Sequence, residues 1–330
     1  MATIKDVASK AGVAVSTVSR VINSSGYVGE ETKKRVLNAM KELRFRPSHI
    51  ARGLVSGKTY TIGLIIPDIA NPFFPEIARG VEDEAIKNNF NVILCNSDWK
   101  IDREKMYLSL LLEKWCDGVI IVGSRSEEID LLRTLGDLPF VSMDRDISSA
   151  GHSVWVDNVL GGYTATKHLY SMGYRHVIHI SGPLNAPSAV ARRKGYELAV
   201  KEFALQSPVV VESDYRKSGG FTAVMSILDD SSKERFDAVF AGNDLMAIGV
   251  LHAANDRGIC IGEELGVIGY DGIPESEDTF PSLTTMFQPG YEMGRRACEL
   301  LLSEIATPSS RLIKEVFKAE LKIRKSTKRS

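Results

Sequence analysis

A chain of 330 residues with 44% hydrophobic and 25% charged content has the make-up of a globular protein of two or three domains. Its net charge of −1 conceals an asymmetry: residues 1–60 hold 11 Lys/Arg against 4 Asp/Glu, a balance of +7, and the remainder carries −8. No apolar run is long enough to cross a bilayer, the first ten residues have no signal-peptide core, and Cys95, Cys116, Cys260 and Cys298 lack any CxxC or Cys/His spacing. A cytoplasmic protein is therefore expected, with no membrane partner, disulfide or structural zinc. A basic head on an acidic body suits a module that meets a polyanion.

Residues 3–23, TIKDVASKAGVAVSTVSRVIN, predict two short helices joined by a tight turn. Ile4, Val7, Ala8 and Ala11 follow the i, i+3, i+4, i+7 spacing of one buried face, and Gly12 stands where a left-handed residue ends a helix. The second helix turns Val18, Val21 and Ile22 inward and leaves Val15, Ser16, Thr17, Ser19 and Arg20 outward. That display of small polar side chains and an arginine matches a DNA-reading helix-turn-helix. A helical hairpin used only for packing is the plainer alternative, and it would not need so one-sided a charge. A third helix opens at Gly29-Glu30-Glu31-Thr32 and runs to about Arg44, with Val36, Leu37, Met40 and Leu43 inward, before Pro47 breaks it. The short basic segment SHIARGLVSGKT (48–59) then reads as a hinge. Its GLVSGKT is no phosphate-binding loop, because three residues rather than four precede the Gly-Lys and no strand leads into it.

From Thr61 the pattern changes to short apolar runs alternating with helices. TIGLIIPD, NVILCNSD, DGVIIVG and PFVSMD form one series, with helices such as 75–89 and 102–115 between them. HVIHISGP, PVVVESDY, AVFAGND and LGVIGYD form a second. This alternation predicts an α/β fold with parallel sheets in two similar lobes, and a change between them near residues 155–162. Such sheets carry function at the carboxyl ends of their strands. Here those ends are polar: Asp68, Asn71, Asp98, Asp144-Arg145, Tyr215, Asn243-Asp244, Asp271 and Gln288.

Taken together, the chain resembles the lactose-repressor (LacI/GalR) family of bacterial transcription regulators. The resemblance covers nearly the whole chain and rests on the N-terminal motif, EETKKRVLNAMKEL, RPSHIARGL, the NPFF at 71–74, NDLMAIGV, GYDG and PSLTTMFQPGYEMG. It implies a helix-turn-helix DNA-binding domain (1–46), a hinge helix and linker (47–60), and a periplasmic-binding-protein-like body for effector binding and dimerisation (61–330). The two lobes of that body are expected at about 61–160 plus 290–318 and about 161–289 plus 319–330. By resemblance, Val15 and Ser16 set operator specificity, Arg20 reaches a guanine edge or a phosphate, and Thr3, Thr17, Ser19 and Asn23 are phosphate partners. Ala14 departs from the family's serine cap, at roughly 0.5–2 kcal/mol of local helix stability. In the hinge, Ala51 and Arg52 are DNA contacts and Leu54 matches the side chain that wedges into the minor groove.

The cleft residues are similar to those of periplasmic ribose-binding proteins, and the pattern as a whole comes closest to ribose-operon repressors. Asn71, Phe73, Phe74, Asp144, Arg145, Arg192, Tyr215, Asn243, Asp271 and Gln288 each match a sugar-contacting position, and VDNVLGG (156–162), with Asp157, matches too. Aromatic rings can cover the C–H faces of a sugar while Asp, Asn and Arg pair with its hydroxyls. Tyr215 adds a hydroxyl where ribose recognition would use Phe, and Gly123 stands where an Asn donor is expected. The expected function is a homodimeric, sugar-responsive repressor, with ribose or a related pentose as effector and no cofactor or metal. A purine co-repressor or a catabolite regulator switched by a phosphocarrier protein is the alternative, and Ala186 in place of a base-contacting Arg disfavours purines. The histidines at 49, 152, 168, 176, 179 and 252 are scattered, and no nucleophile–base pair, metal constellation or phosphate loop points to an enzyme.

Overall fold

Residues 1–60 and 61–330 are separate compact units. The structure, a computed structural model, describes residues 2–23, 25–45, 58–113, 116–147, 151–203, 207–229, 236–309 and 311–329. In the first unit, α1 (Ile4–Ala11) is followed by α2 (Val15–Asn23) and α3 (Glu30–Glu42). Thr3 caps α1: its hydroxyl accepts from the Asp6 N–H at 3.3 Å, while the Asp6 carboxylate accepts from the Thr3 N–H at 2.7 Å. Gly12 closes the helix at φ +63°. Val7, Ala8, Ala11, Val18, Val36 and Ala39 form the core of the three helices, with Ile4, Val21, Ile22, Met40 and Leu43 against it. Leu37, expected inside, is 48% exposed. One residue beyond Val36 on a helix is turned about 100° away from it, so Ala39 and Met40 complete the buried stripe instead. Helix α3 stops at Glu42, two residues short of the expected end, and Arg44 already lies at φ +49°. The hinge positions Ala51, Arg52 and Leu54 lie outside the described residues.

The second unit contains two six-stranded sheets. The first is built from β1 (Thr61–Ile66), β2 (Asn91–Asn96), β3 (Gly118–Val122), β4 (Phe140–Met143), β5 (His152–Val156) and β11 (Lys314–Phe317). Their order is β11-β5-β4-β3-β1-β2, every pair parallel. The second uses β6 (Val177–Ser181), β7 (Val209–Glu212), β8 (Ala238–Ala241), β9 (Gly266–Asp271), β10 (Thr284–Phe287) and β12 (Glu320–Lys322). Its order is β12-β10-β9-β8-β6-β7, parallel except for β10 with β12. Each sheet reverses its order once, between β1 and β3 and between β6 and β8, and such switch points open a crevice at the strands' carboxyl ends. The eight apolar runs read from the sequence are all strands. Four more were missed: β10 (TTMF) opens on two threonines, β11 (KEVF) and β12 (ELK) carry charges, and β5 (HSVWV) opens on His-Ser, so none shows the continuous apolar signal of a buried parallel strand.

Helices cover both sheets: α4 (Phe73–Lys87), α5 (Ile101–Glu113), α6 (Glu128–Leu135), α7 (Asn158–Ser171), α8 (Pro187–Phe203), α9 (Lys217–Leu228), α10 (Asp244–Asp256), α11 (Glu275–Asp278) and α12 (Gly290–Ala306). No helix among the described residues is long and apolar enough to cross a membrane. The pair α7 and α8 approaches closely because each gives a glycine to the contact. A Cβ on Gly162 would lie 2.2 Å from the Arg192 carbonyl oxygen, and one on Gly195 would lie 2.1 Å from that of Val159. Neither obstacle is a side chain that can swing aside. Gly162→Ala is therefore expected to separate the two helices and destabilise the body by about 1–3 kcal/mol, the range for overpacking, measured as a lower melting temperature.

Candidate functional site

On α2 the side chains of Val15, Ser16 and Arg20 are exposed, Val15 by 41%, while Thr17 and Ser19 are half-buried. Ser16 and Arg20 stand one turn apart on the same face. Asn23 is the last residue of α2. Ala14 has no side-chain oxygen with which to cap α2; its carbonyl accepts from the Thr17 and Val18 N–H groups at 2.9 and 3.2 Å. Thr3 is exposed, but its hydroxyl is committed to Asp6 at 2.9 Å, so the structure gives it a capping role.

In the body, residues from the carboxyl ends of both sheets meet. Asn71, in the loop after β1, donates from Nδ2 to Asp271 at the end of β9 (3.2 Å) while its Oδ1 accepts from the Phe73 N–H (3.1 Å). One side chain thus starts α4 and bridges the lobes. Asp271 also accepts from Gln288 Nε2 at 2.8 Å and lies 3.7 Å from Arg192. Arg192, on α8, donates to Asn158 Oδ1 at 2.8 Å and to the Gly242 carbonyl at 2.6 Å, and its guanidinium lies 3.7 Å over the Tyr270 ring. Asn158 in turn lies 3.5 Å from Asp144, at the end of β4. Asp144, Tyr215 and Asp271 leave their strands at φ +69°, +65° and +112°. Backbone strain of this kind, about 1–3 kcal/mol per residue, persists where surrounding structure enforces it, typically at ligand clamps.

Burial pushes Asp271 up to about 6 against the pull of Arg192, Asn71 and Gln288. Burial also raises Asp144, opposed mainly by Arg192. Asp244 is raised by burial and by Asp271 beside it, although its carboxylate accepts from the Gly272 and Ile273 N–H groups and the Thr285 hydroxyl at 2.6–2.9 Å.

The structure gathers Asn71, Phe73, Phe74, Asp144, Arg192, Tyr215, Asn243 and Asp271 around one small cavity of about 20 Å³, with Gln288 attached through Asp271. Arg145 does not join them. The carbonyls of the loop after β3 capture its guanidinium, which donates to Ser124 and Ser126 at 3.3 and 2.8 Å, and it lines an adjoining cavity of about 490 Å³. Asn243 lines the cavity and is engaged at both ends of its amide: Oδ1 caps α10 at the Met246 N–H and Nδ2 donates to the Tyr215 carbonyl. Asp157 caps α7 through the Leu160 N–H.

Trp99 and Arg125 escaped the sequence reading, and Asn158 was reached only as part of the VDNVLGG run. Trp99 stacks on Tyr215, centroids 5.5 Å apart and planes inclined by 28°, and meets Phe74 edge-on at 5.9 Å. Arg125 lies 4.4 Å over the indole, and Asn158 links Arg192 to Asp144. The rule that strand ends carry function reached Asp98 and Gly123 and stopped one and two residues short of Trp99 and Arg125.

Residues 3–48 match the family described as bacterial regulatory proteins, lacI family. Residues 59–325 match the family of periplasmic binding proteins and the sugar binding domain of the LacI family. The chain is 38% identical to a ribose operon repressor of Halalkalibacterium halodurans, covering 99% of this chain and 98% of that one. It is 39% identical to catabolite control protein A of Priestia megaterium, covering 91% of each. A lac repressor dimer bound to operator and an anti-inducer shares the architecture with a TM-score of 0.89 at 25% identity, over 99% of both chains. A LacI family regulator from Enterococcus faecalis with bound ribose gives 0.74 at 33% identity, over 81% of this chain and 98% of that one.

Asp271 yields a pH signature. An acid held neutral by burial keeps its proton in the folded chain between the ordinary 3.8 and about 6, where the unfolded chain has released it. Its contribution to stability is therefore lost as pH rises through that window. Asp271→Asn should remove this part of the pH dependence. Whatever its absolute effect, the stability of wild type relative to the variant should rise by an amount equivalent to a few kcal/mol between pH 8 and pH 4, where wild-type Asp271 is itself neutral in the folded chain; thermal unfolding of both proteins at the two pH values checks it.

Proposed function

The chain belongs to the LacI family of bacterial regulatory proteins, and from that premise we propose that it is a homodimeric repressor released from its operator when a pentose, ribose above all, closes the cleft between its lobes. The DNA-binding repressor head and the sugar-binding body follow from family membership; the effector, the residues and the direction of the switch are the proposal. The observation that carries it is the polar set drawn from both lobes, Asn71 and Asp144 from one and Arg192 and Asp271 from the other, joined by the Asn71–Asp271 bond. Carboxylate, amide and guanidinium side by side can pair with neighbouring hydroxyls of one sugar, and the charge-assisted bonds among them are the stronger ones. Similarity to a ribose operon repressor and to a ribose-bound regulator supports a pentose. Similarity to catabolite control protein A supports a second reading, in which a phosphocarrier protein is the signal.

On the operator, Val15 offers an apolar contact and Ser16 and Arg20 polar ones in the major groove, with Thr17, Ser19 and Asn23 on phosphates. Leu54 serves as the minor-groove wedge beside Ala51 and Arg52. A sugar gripped by both lobes favours the closed body, and if only the open body lets two hinges pair over DNA, sugar draws the population away from the operator.

Two outcomes are expected. Arg20→Ala should weaken binding to a selected pseudo-palindromic operator by about 1–3 kcal/mol, roughly 5- to 150-fold, in a gel-shift titration, and leave ribose binding within twofold. Ribose titrated into the free protein and into the operator complex should bind the complex about 5- to 150-fold more weakly, because coupling between two sites is reciprocal. Equal affinity in both states would remove sugar control, and tighter binding on DNA would make the sugar a co-repressor. A response to a phosphorylated carrier protein with none to pentoses would favour the second reading.

A further inference from the structure

We propose that Trp99 is a resident plug of the effector cleft, that a neutral sugar takes its place, and that Arg125 and the Tyr215 hydroxyl then become specificity-determining contacts. This rests on the sugar reading of the cleft. The space among Phe74, Trp99, Tyr215, Arg192 and Asp271 is about 20 Å³, room for about one water molecule and far less than a sugar ring. What fills it is the indole, stacked on Tyr215 from the other lobe and held from beneath by Phe74. A flat ring lying on an aromatic face is the arrangement a sugar would itself adopt there.

Three features show that the plug is held at a cost. Asp98 and Trp99 both lie in the left-handed region, at φ +55° and +59°, where non-glycine residues are disfavoured. The Nε and Nη2 atoms of Arg125, stacked on the indole, are buried with no hydrogen-bond partner. So is the Tyr215 hydroxyl on its other side. Buried donors without partners carry their desolvation with no return. Unlike Arg145 and Arg192, whose guanidinium nitrogens have partners, Arg125 has donors ready for hydroxyl oxygens once the indole withdraws. Gly123 eases the seat: a Cβ there would stand 3.3 Å from the indole, tighter than ordinary contact, and its φ of +62° suits glycine. The charges balance, Arg125 and Arg192 against Asp144 and Asp271, so the fitting ligand is a neutral polyol.

Two proteins test this. In the first, Trp115→Phe with Trp155→Phe leaves Trp99 as the only tryptophan of the three. Ribose should shift its emission to the red and raise its acrylamide quenching severalfold. In the second, Trp99→Gly removes the indole and suits the left-handed backbone. Free indole should raise the melting temperature of this variant by several degrees without affecting wild type, and ribose should bind it at least tenfold more tightly than wild type. Ribose bound with Trp99 emission and quenching unchanged, or with equal affinity in wild type and Trp99→Gly, overturns the plug while leaving the sugar reading intact. Ribose binding to neither protein, with indole still stabilising the variant, supports the slot and overturns the sugar reading. Absence of an indole effect overturns the slot. Ribose 5-phosphate binding more tightly than ribose overturns the neutral-ligand assignment.

Discussion

A guanidinium keeps its charge at every ordinary pH, and Arg192 carries that charge on a side chain only 5% exposed. Burying a cation is unfavourable by several kcal/mol unless its hydrogen bonds and counter-charge are supplied, and the body is built to supply them. The segment VDNVLGG does much of this. Asp157 starts α7; Asn158 accepts from Arg192 with one end of its amide and approaches Asp144 with the other. Gly161 clears the Tyr270 ring on which the guanidinium lies, for a Cβ there would sit 2.1 Å from the Tyr270 hydroxyl. Gly162 admits the backbone of Arg192 itself. A run that resembles a sugar-contacting motif is, residue by residue, the socket of one arginine.

That socket explains the electrostatics of the crevice. Asp144 and Asp271 are buried beside Arg192 and Asp244 beside Asp271, and each is shifted towards its neutral form by burial. Carboxylates held above their ordinary range are poised to gain from any hydroxyl that approaches them. Asp244, however, is saturated by two backbone N–H groups and a threonine and serves to shape the turn after β9. Asp144 and Asp271 face the small cavity. The chemistry of recognition therefore falls to the strand ends that are also strained.

Much of this was legible in the amino-acid sequence. The helix-turn-helix followed from apolar spacing and from Gly12, and eight strands from uninterrupted apolar runs, because those signals are local. Leu37 was misplaced because a helix face is set by rotation: Val36, Ala39, Met40 and Leu43 share one stripe, and Leu37 falls outside it. Arg145 was expected in the cleft because it matches a sugar-contacting position of the family it resembles. Side chains of adjacent residues diverge at a strand end, and carbonyls two loops away claimed the guanidinium. Trp99 and Arg125 were invisible for a related reason. Trp99 reaches its seat from a positive φ and is eased there by the missing Cβ at Gly123, neither of which leaves a periodic trace.

Sensitivity to an effector is set by how far the cleft already closes without it. A ligand shifts an equilibrium only by its differential affinity for the two states. The Asn71–Asp271 bond and the Trp99–Tyr215 stack both join the lobes, and on the proposed reading that would by itself shrink the range a sugar can command. The unpartnered Arg125 and Tyr215 groups and the left-handed backbone at Asp98 and Trp99 act in the opposite direction. They raise the energy of this arrangement, and on the proposed reading hydroxyls that satisfy them would recover that difference. A cleft that is both bridged and strained can be tuned at either point. On that reading, strengthening the stack would lower apparent affinity, while relieving the left-handed backbone at Asp98 and Trp99 would blunt the response without touching a direct contact to the ligand.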